Sequence, residues 1–205
     1  MEDIMNRFVL FAAAGLSAVA LAACGNNMSA DNATMSTGTP AAETASSENV
    51  AREAQDFIHN AGQASLVEIR TSEMALEKSA SPDVKAFAQT MIDQHKAGLD
   101  KIKAAAQAGS LMAPAEILDD VHMRRINDLT ETDGDADFDA DYSALQVDAH
   151  KDAIGLFEDY AKDPAATPAL KMLVEEMLPT LTAHKEAAEK LRDTVSKAPG
   201  TPNPS

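Results

Sequence analysis

The chain has one cysteine, no tryptophan and only 4% aromatic residues among its 205 positions. A single thiol excludes an intramolecular disulfide and a thiolate-bound structural zinc. Any metal must therefore be held by nitrogen, oxygen or thioether sulfur. Runs of alternating β-branched residues are missing, which argues against a sheet. Scarce aromatics fit a helical bundle packed with Ala, Leu and Met. Basic residues are also few: 17 Lys and Arg stand against 33 Asp and Glu, for a formal net charge of −16. Such a surface repels nucleic acid and anionic headgroups, so no nucleic-acid partner is expected. There is no phosphate loop, dinucleotide fingerprint or nucleophile–base pair, so no catalytic residue is assigned and an enzymatic role finds no support.

What the chain does have begins with an address. Met5-Asn-Arg7 forms a short basic start, Phe8 to Ala20 an apolar run, and Leu21-Ala-Ala-Cys24 follows. The run is too short to span a membrane and continue, so residues 1–23 are expected to be a cleaved export signal. Glu2 and Asp3 fit poorly there, which makes Met5 a candidate start. Leu-Ala-Ala-Cys looks like a bacterial lipobox, which implies lipidation of Cys24 and a membrane partner through that anchor. Gly25 after the cysteine, rather than Asp, implies by the same resemblance the outer membrane. Residues 24–47 are rich in Ser, Thr, Ala, Asn and Gly and read as a flexible tether. Residues 198–205 hold three prolines and read as a disordered tail.

Residues 48–197 carry helical periodicity and suffice for one domain. A first helix is expected from about Asn49 to Ser79. Ser81-Pro82-Asp83 supplies a cap, a first-turn proline and an acid at the positive end of a second helix, which runs to about Gly109. A shorter connector helix is expected over Pro114 to Thr130, with Ile117, Leu118, Val121, Arg125 and Leu129 on one face. A third long helix spans about Asp137 to Lys162. Thr167-Pro168 starts a fourth, which reaches about Lys197 and is expected to kink at Pro179. Two tight helical hairpins with a long connection describe an all-α, ferritin-like four-helix bundle with a short connector helix between helices 2 and 3.

One costly polar residue falls on the apolar stripe of each long helix. At 100° per residue, Glu68 shares a face with Phe57, Ala61, Ala64, Thr71 and Ala75. His95 shares one with Val84, Ala88, Met91, Leu99 and Ile102. His150 lies toward the edge of the Tyr142, Leu145, Ala149, Ala153, Leu156 and Phe157 stripe. His184 sits among Leu170, Val174, Met177, Leu181, Ala188 and Leu191. Their depths agree. Glu68 is 13 residues before Ser81 and His95 is 14 after it, a mismatch of about 1.5 Å. His150 is 15 before Ala165 and His184 is 19 after it, a mismatch of about 6 Å that a long turn and a kink absorb.

Three imidazoles and a carboxylate at one level suit a single transition-metal ion such as zinc, copper or iron. Glu68, His95, His150 and His184 are the candidate ligands. The residues three before His95 and His184 are Ile92 and Leu181, so the Glu-x-x-His motif of di-iron bundles is absent. The same four residues equally suit a metal-free hydrogen-bonded network that only specifies packing, as in a structural or stress-related envelope protein. Both readings stand open at this point. Met91 and Met177 lie near the histidines on the inward stripes, where a thioether suits copper or simply fills the core. Asp93 and Asp148 point away toward water, and His59 lies on an outer face. His122 on the connector has no obvious partner. Tyr142 on the third stripe either reaches the polar centre with its hydroxyl or is a core aromatic with its hydroxyl at the rim.

Several stretches taken together resemble a known family: Phe57-Ile58 with Ser65-Leu-Val-Glu68-Ile69, the run Val84 to Gln94-His95, Phe138-Asp-Ala-Asp-Tyr142, Gln146-Val-Asp-Ala-His150, and Leu178-Pro-Thr-Leu-Thr-Ala-His184. The set resembles the DUF4142 family of exported bacterial proteins, a ferritin-like helical family without a settled activity. The resemblance implies the fold and an envelope location and supplies no substrate. It also implies an acid directly before the histidine of helix 2, where this chain has Gln94.

Overall fold

The computed structural model describes residues 40–132 and 135–197. The expected export signal, Cys24 and the C-terminal tail lie outside the described residues, as does the tether up to position 39. Five helices follow in order: α1 Pro40–Lys78, α2 Pro82–Ala108, α3 Asp120–Glu131, α4 Asp135–Lys162 and α5 Pro168–Val195. No strand occurs among the described residues. Nor is any helix there long and apolar enough to cross a membrane.

Local chemistry sets the turns. Ser81 caps α2 by accepting from the Val84 amide, with Pro82 in the first turn, and Thr167 does the same for α5 from Leu170, ahead of Pro168. These caps satisfy amides the helices cannot satisfy internally. α5 is assigned as one helix through Pro179.

α1 packs on α2 and α4 on α5, while α1 also contacts α4 and α2 contacts α5. The stretch after α2 starts beside Gln55 and ends beside Lys78, so it climbs along α1 from bottom to top. α4 therefore descends and α5 ascends, giving up-down-down-up helices around a square, the single-crossover bundle expected from the sequence.

Two expectations are corrected. α1 begins at Pro40, so residues 40–47, read as tether, are helical; Pro-Ala-Ala-Glu opens a helix with a favoured first residue and good helix formers. The connector is helical only from Asp120, because the Asp119 carboxylate accepts from the Val121 and His122 amides and starts the helix there. Residues before it form an extended strap. Ile117 and Val121, placed by helical spacing on one face with Leu129, are 77% and 63% exposed, and the buried anchors are Ile126 and Leu129. The strap is held through backbone atoms instead. The Gln55 amide group donates to the Met112 carbonyl and accepts from its N–H. The fully buried Gln63 does the same with the Ile117 carbonyl and the Asp119 N–H. Eight residues apart, the two glutamines lie on nearly one face of α1, and hydrogen bonds to backbone need no apolar periodicity in the strap. Pro114 sits on Gly62, where an added Cβ would lie 2.3 Å from the Pro114 Cβ.

The core has two apolar clusters. The lower one contains Phe57, Ile58, Ile102, Phe157, Leu170 and Val174. The upper one contains Ala75, Val84, Ala88, Leu129, Phe138 and Tyr142. Buried polar side chains occupy the level between them, among them Glu68, Ser72, His95, Gln146, His150 and His184.

Gly62→Ala is expected to push the strap off α1, lowering stability by about 1–3 kcal/mol. Gln63→Ala, which leaves two backbone groups without partners, is expected to cost a similar amount. Both are measured by urea denaturation, with half-buried Gln55→Ala costing less than either.

Candidate metal centre

The inward stripes determine where each polar group arrives. On α2, Val84, Ala88, Met91, His95, Leu99 and Ile102 are all buried, as their spacing predicts. His184 is buried on α5 with Leu181 and Ala188 on either side. His150, expected near the edge of its stripe, is the most enclosed of the three at 1% exposure. The true centre of α4 passes through Tyr142, Gln146 and His150, each four residues apart, and Gln146 is fully buried.

The three imidazoles form a nearly equilateral triangle. Ring centroids are 5.4 Å apart for His95 and His150, 5.1 Å for His95 and His184, and 5.3 Å for His150 and His184. One nitrogen from each lies within 4.8 Å of the others. His95 and His150 approach to 3.3 Å between their Nε2 atoms.

Hydrogen bonds assign the tautomers of two rings. His150 Nδ1–H donates to the Gln146 carbonyl at 2.8 Å, which leaves its Nε2 as a lone pair facing His95. His184 Nε2–H donates to Gln94 Oε1 at 2.5 Å. Its Nδ1 is then an acceptor, buried and without a hydrogen-bond partner. An imidazole whose outer N–H is tied to an oxygen while the other nitrogen stays free is the usual state of a metal-ligating histidine.

Glu68 is not a member of this triangle. Its Oε1 lies 3.8 Å from His150 Nδ1, on the side of the ring that faces Gln146. Both carboxyl oxygens are buried without a hydrogen-bond partner. The helix geometry brought all four residues to one level, as expected, but α1 presents Glu68 behind His150 rather than beside it.

Burial controls the charge of the centre. It pushes the Glu68 carboxyl up to about 8, opposed only in part by the Gln146 amide and the Arg125 charge. It holds His95 well below the ordinary imidazole value, helped by the two neighbouring rings. His150 is lowered by burial, and His184 is lowered by burial and by His150 to about 4. At neutral pH without an ion, the centre is a set of neutral imidazoles beside a protonated carboxyl.

Two hollows meet the triangle. One, of about 170 Å³, opens between α1 and α4 and is lined by Glu68, His95 and His150. The other, of about 190 Å³, opens between α2 and α5 and is lined by Gln94, His95, Gly98 and His184. His95 and Met177 border both. Met91 borders neither.

Asp93 and Asp148 face water as expected. Tyr142 is fully buried rather than at a rim, and its hydroxyl shares a 2.8 Å hydrogen bond with Ser72. His122 was left without a partner, yet its Nδ1 is 2.8 Å from Asp119 Oδ1. His59, though on an outer face, reaches Asp119 Oδ2 at 3.2 Å. The supporting residues Gln94, Gln146, Thr71 and Ser72 were not singled out as site residues. For Gln146, Thr71 and Ser72 the signal is a second polar residue three or four positions from a polar stripe residue, whereas Gln94, adjacent to His95, carries no such signal.

Fold and centre together define a class: a ferritin-like helical bundle with a buried three-histidine cluster among its described residues. The chain matches a domain of unknown function, DUF4142, over residues 39–191, and belongs to that family. Among solved structures it is similar to "CopM in the Cu(II)-bound form", with a TM-score of 0.55 and 18% identity, covering 69% of this chain and 96% of that one. At that identity the likeness concerns the fold. No curated protein matches the chain.

The pKa directions set a pH dependence for the metal-free protein. Glu68 holds its proton more tightly folded than unfolded, so its contribution is fully present below 4.5 and is lost as pH rises to about 8. His184 resists protonation when folded, so its contribution is present above 6.5 and is lost as pH falls to about 4. His95 and His150 are lowered in the same way and add to the loss on the acid side, so stability is expected to fall on both sides of a maximum near pH 6.5. Glu68→Gln should flatten the alkaline limb, worth about 2 kcal/mol between pH 6.5 and 8, and leave a fall on the acid side. Denaturant titrations between pH 4 and pH 9 measure this.

Proposed function

We propose that the protein binds one transition-metal ion through His95, His150 and His184, with Glu68 as the neighbouring carboxylate that balances its charge. The observation that carries this reading is the convergence of three buried imidazoles, two of them with the outer N–H tied to a backbone or amide oxygen. Buried acceptors left without donors favour a cation over an empty network. Three neutral nitrogen donors suit copper, zinc or iron and leave a position free for a further ligand. For such donors the divalent affinity order places Cu(II) first. Copper is also the ion named for the structurally similar CopM, and Met177 adds a soft thioether at the border of both hollows. The role that follows is metal binding or buffering, with no catalytic residue assigned. The metal-free alternative rests on the direct His95–His150 hydrogen bond, which ties two of the rings together without an ion.

The setting belongs to the same proposal. The Leu21-Ala-Ala-Cys24 sequence supports a lipid anchor that keeps the bundle in the periplasm at the outer membrane.

Untagged, chelator-washed protein is expected to take up one equivalent of Cu(II), more tightly than Zn(II), with nitrogen couplings in the Cu(II) paramagnetic spectrum. His95→Ala and His184→Ala are each expected to weaken uptake at least about a hundredfold. A protein whose stability falls in these variants while its metal content stays at background in every form is a packing network instead. Separately, Cys24→Ala is expected to move the protein from the membrane fraction to the soluble periplasm. Equal membrane retention would reject the anchor.

A further inference from the structure

The hollow between α1 and α4 has a composition that metal binding leaves unexplained. Its volume of about 170 Å³ exceeds the space of one or two waters. An apolar cavity of about 150 Å³ admits a benzene ring. Ala61, Val67, Ala153, Leu156 and Phe157 give this one apolar walls. Its innermost polar residues, judged by burial, are His150 at 1%, Glu68 at 3%, Ser65 at 4% and His95 at 6%, with the Ser65 hydroxyl already donating to the Ala61 carbonyl.

The polar end is short of donors. Both Glu68 oxygens and the nearby Gln146 Oε1 are buried with no hydrogen-bond partner. The His150 N–H is already committed to the Gln146 carbonyl. The Gln146 amide gives one N–H to Thr71, so its second N–H and a proton on Glu68 are the donors available against these acceptors. A ligand head that accepts hydrogen bonds would add to the surplus, whereas a head carrying several N–H groups would relieve it.

The mouth fits the same chemistry. Arg125 of α3 is paired with Asp152 of α4, so the guanidinium there already has a carboxylate partner, and His122 is hydrogen-bonded to Asp119. The net charge of −16 draws cations toward the surface.

We propose that this cavity binds a small primary amine whose apolar body is about the size of one ring, with its N–H groups directed at the Glu68 carboxyl. The walls take the body, and the acceptor-rich inner end selects the head. The site does not depend on an ion at the imidazoles, because the group that recognises the ligand is Glu68.

Benzylamine, toluene and benzoate share a ring and differ in the head, so they serve as probes on chelator-washed protein, followed by amide chemical shifts. Benzylamine is expected to bind one to one, at least about tenfold tighter than toluene, with benzoate weakest. Glu68→Gln is expected to bring benzylamine to within about threefold of toluene. Leu156→Trp, at a half-buried wall position, should exclude both; Ala153→Met is the substitute if that variant does not fold. Toluene binding as tightly as benzylamine, benzoate binding more tightly, or no saturable shift with any probe would each overturn the assignment. Metal uptake by the same preparation separates the two readings. Uptake without amine binding rejects the amine site alone, and amine binding without uptake rejects the metal centre alone.

Discussion

The fold is organised around a buried polar layer that cannot be hydrated in the usual way. Apolar clusters close the layer above and below, and two of its imidazoles bond partners inside the bundle. His150 uses a carbonyl of its own helix, and His184 uses Gln94 across the α2–α5 interface. One nitrogen of each ring then lies within 4.8 Å of the others. Desolvation keeps the rings neutral, and neutral rings are the form that binds a metal.

The layer also constrains register. Sliding one helix by a single turn would move its histidine about 5.4 Å along the bundle. That displacement would bury the group among Leu, Ile and Phe, where an unpaired polar group costs several kcal/mol. Apolar packing alone discriminates weakly between such registers, since Leu, Ala and Met repack readily. The polar residues therefore select one alignment among several that the hydrophobic pattern tolerates, whether or not an ion is bound.

The crossover makes the two sides of the centre unlike. On the α2–α5 side a groove reaches Gln94 and His184 directly. On the α1–α4 side the strap and α3 lie along α1, held by Gln55, Gln63 and Lys78. They bring His122 and Arg125 to the mouth of the other hollow. Because Gln55 and Gln63 hold the strap through its backbone, Met112 and Ile117 are left exposed, and its packing rests on Leu111 and on Pro114 against Gly62. Hydrophobic periodicity is a poor guide to such a segment, and for this reason the connector helix was expected too early.

Helix number, hairpin pairing, caps at Ser81 and Thr167, and the burial of His95, His150 and His184 all follow from local rules: a 3.6-residue period, capping chemistry, and equal helix lengths on either side of a turn. Those rules act along one helix at a time, so the sequence alone determined that polar groups meet at one depth in a ferritin-like bundle. How they meet depends on helix rotation and on contacts across interfaces, which no single helix encodes. Only the tertiary structure decided that Glu68 stands behind His150, that Gln94 and Gln146 orient the rings, and that Asp119 joins His59 to His122. Rotation about a helix axis by a few tens of degrees changes which atoms touch while leaving every stripe buried.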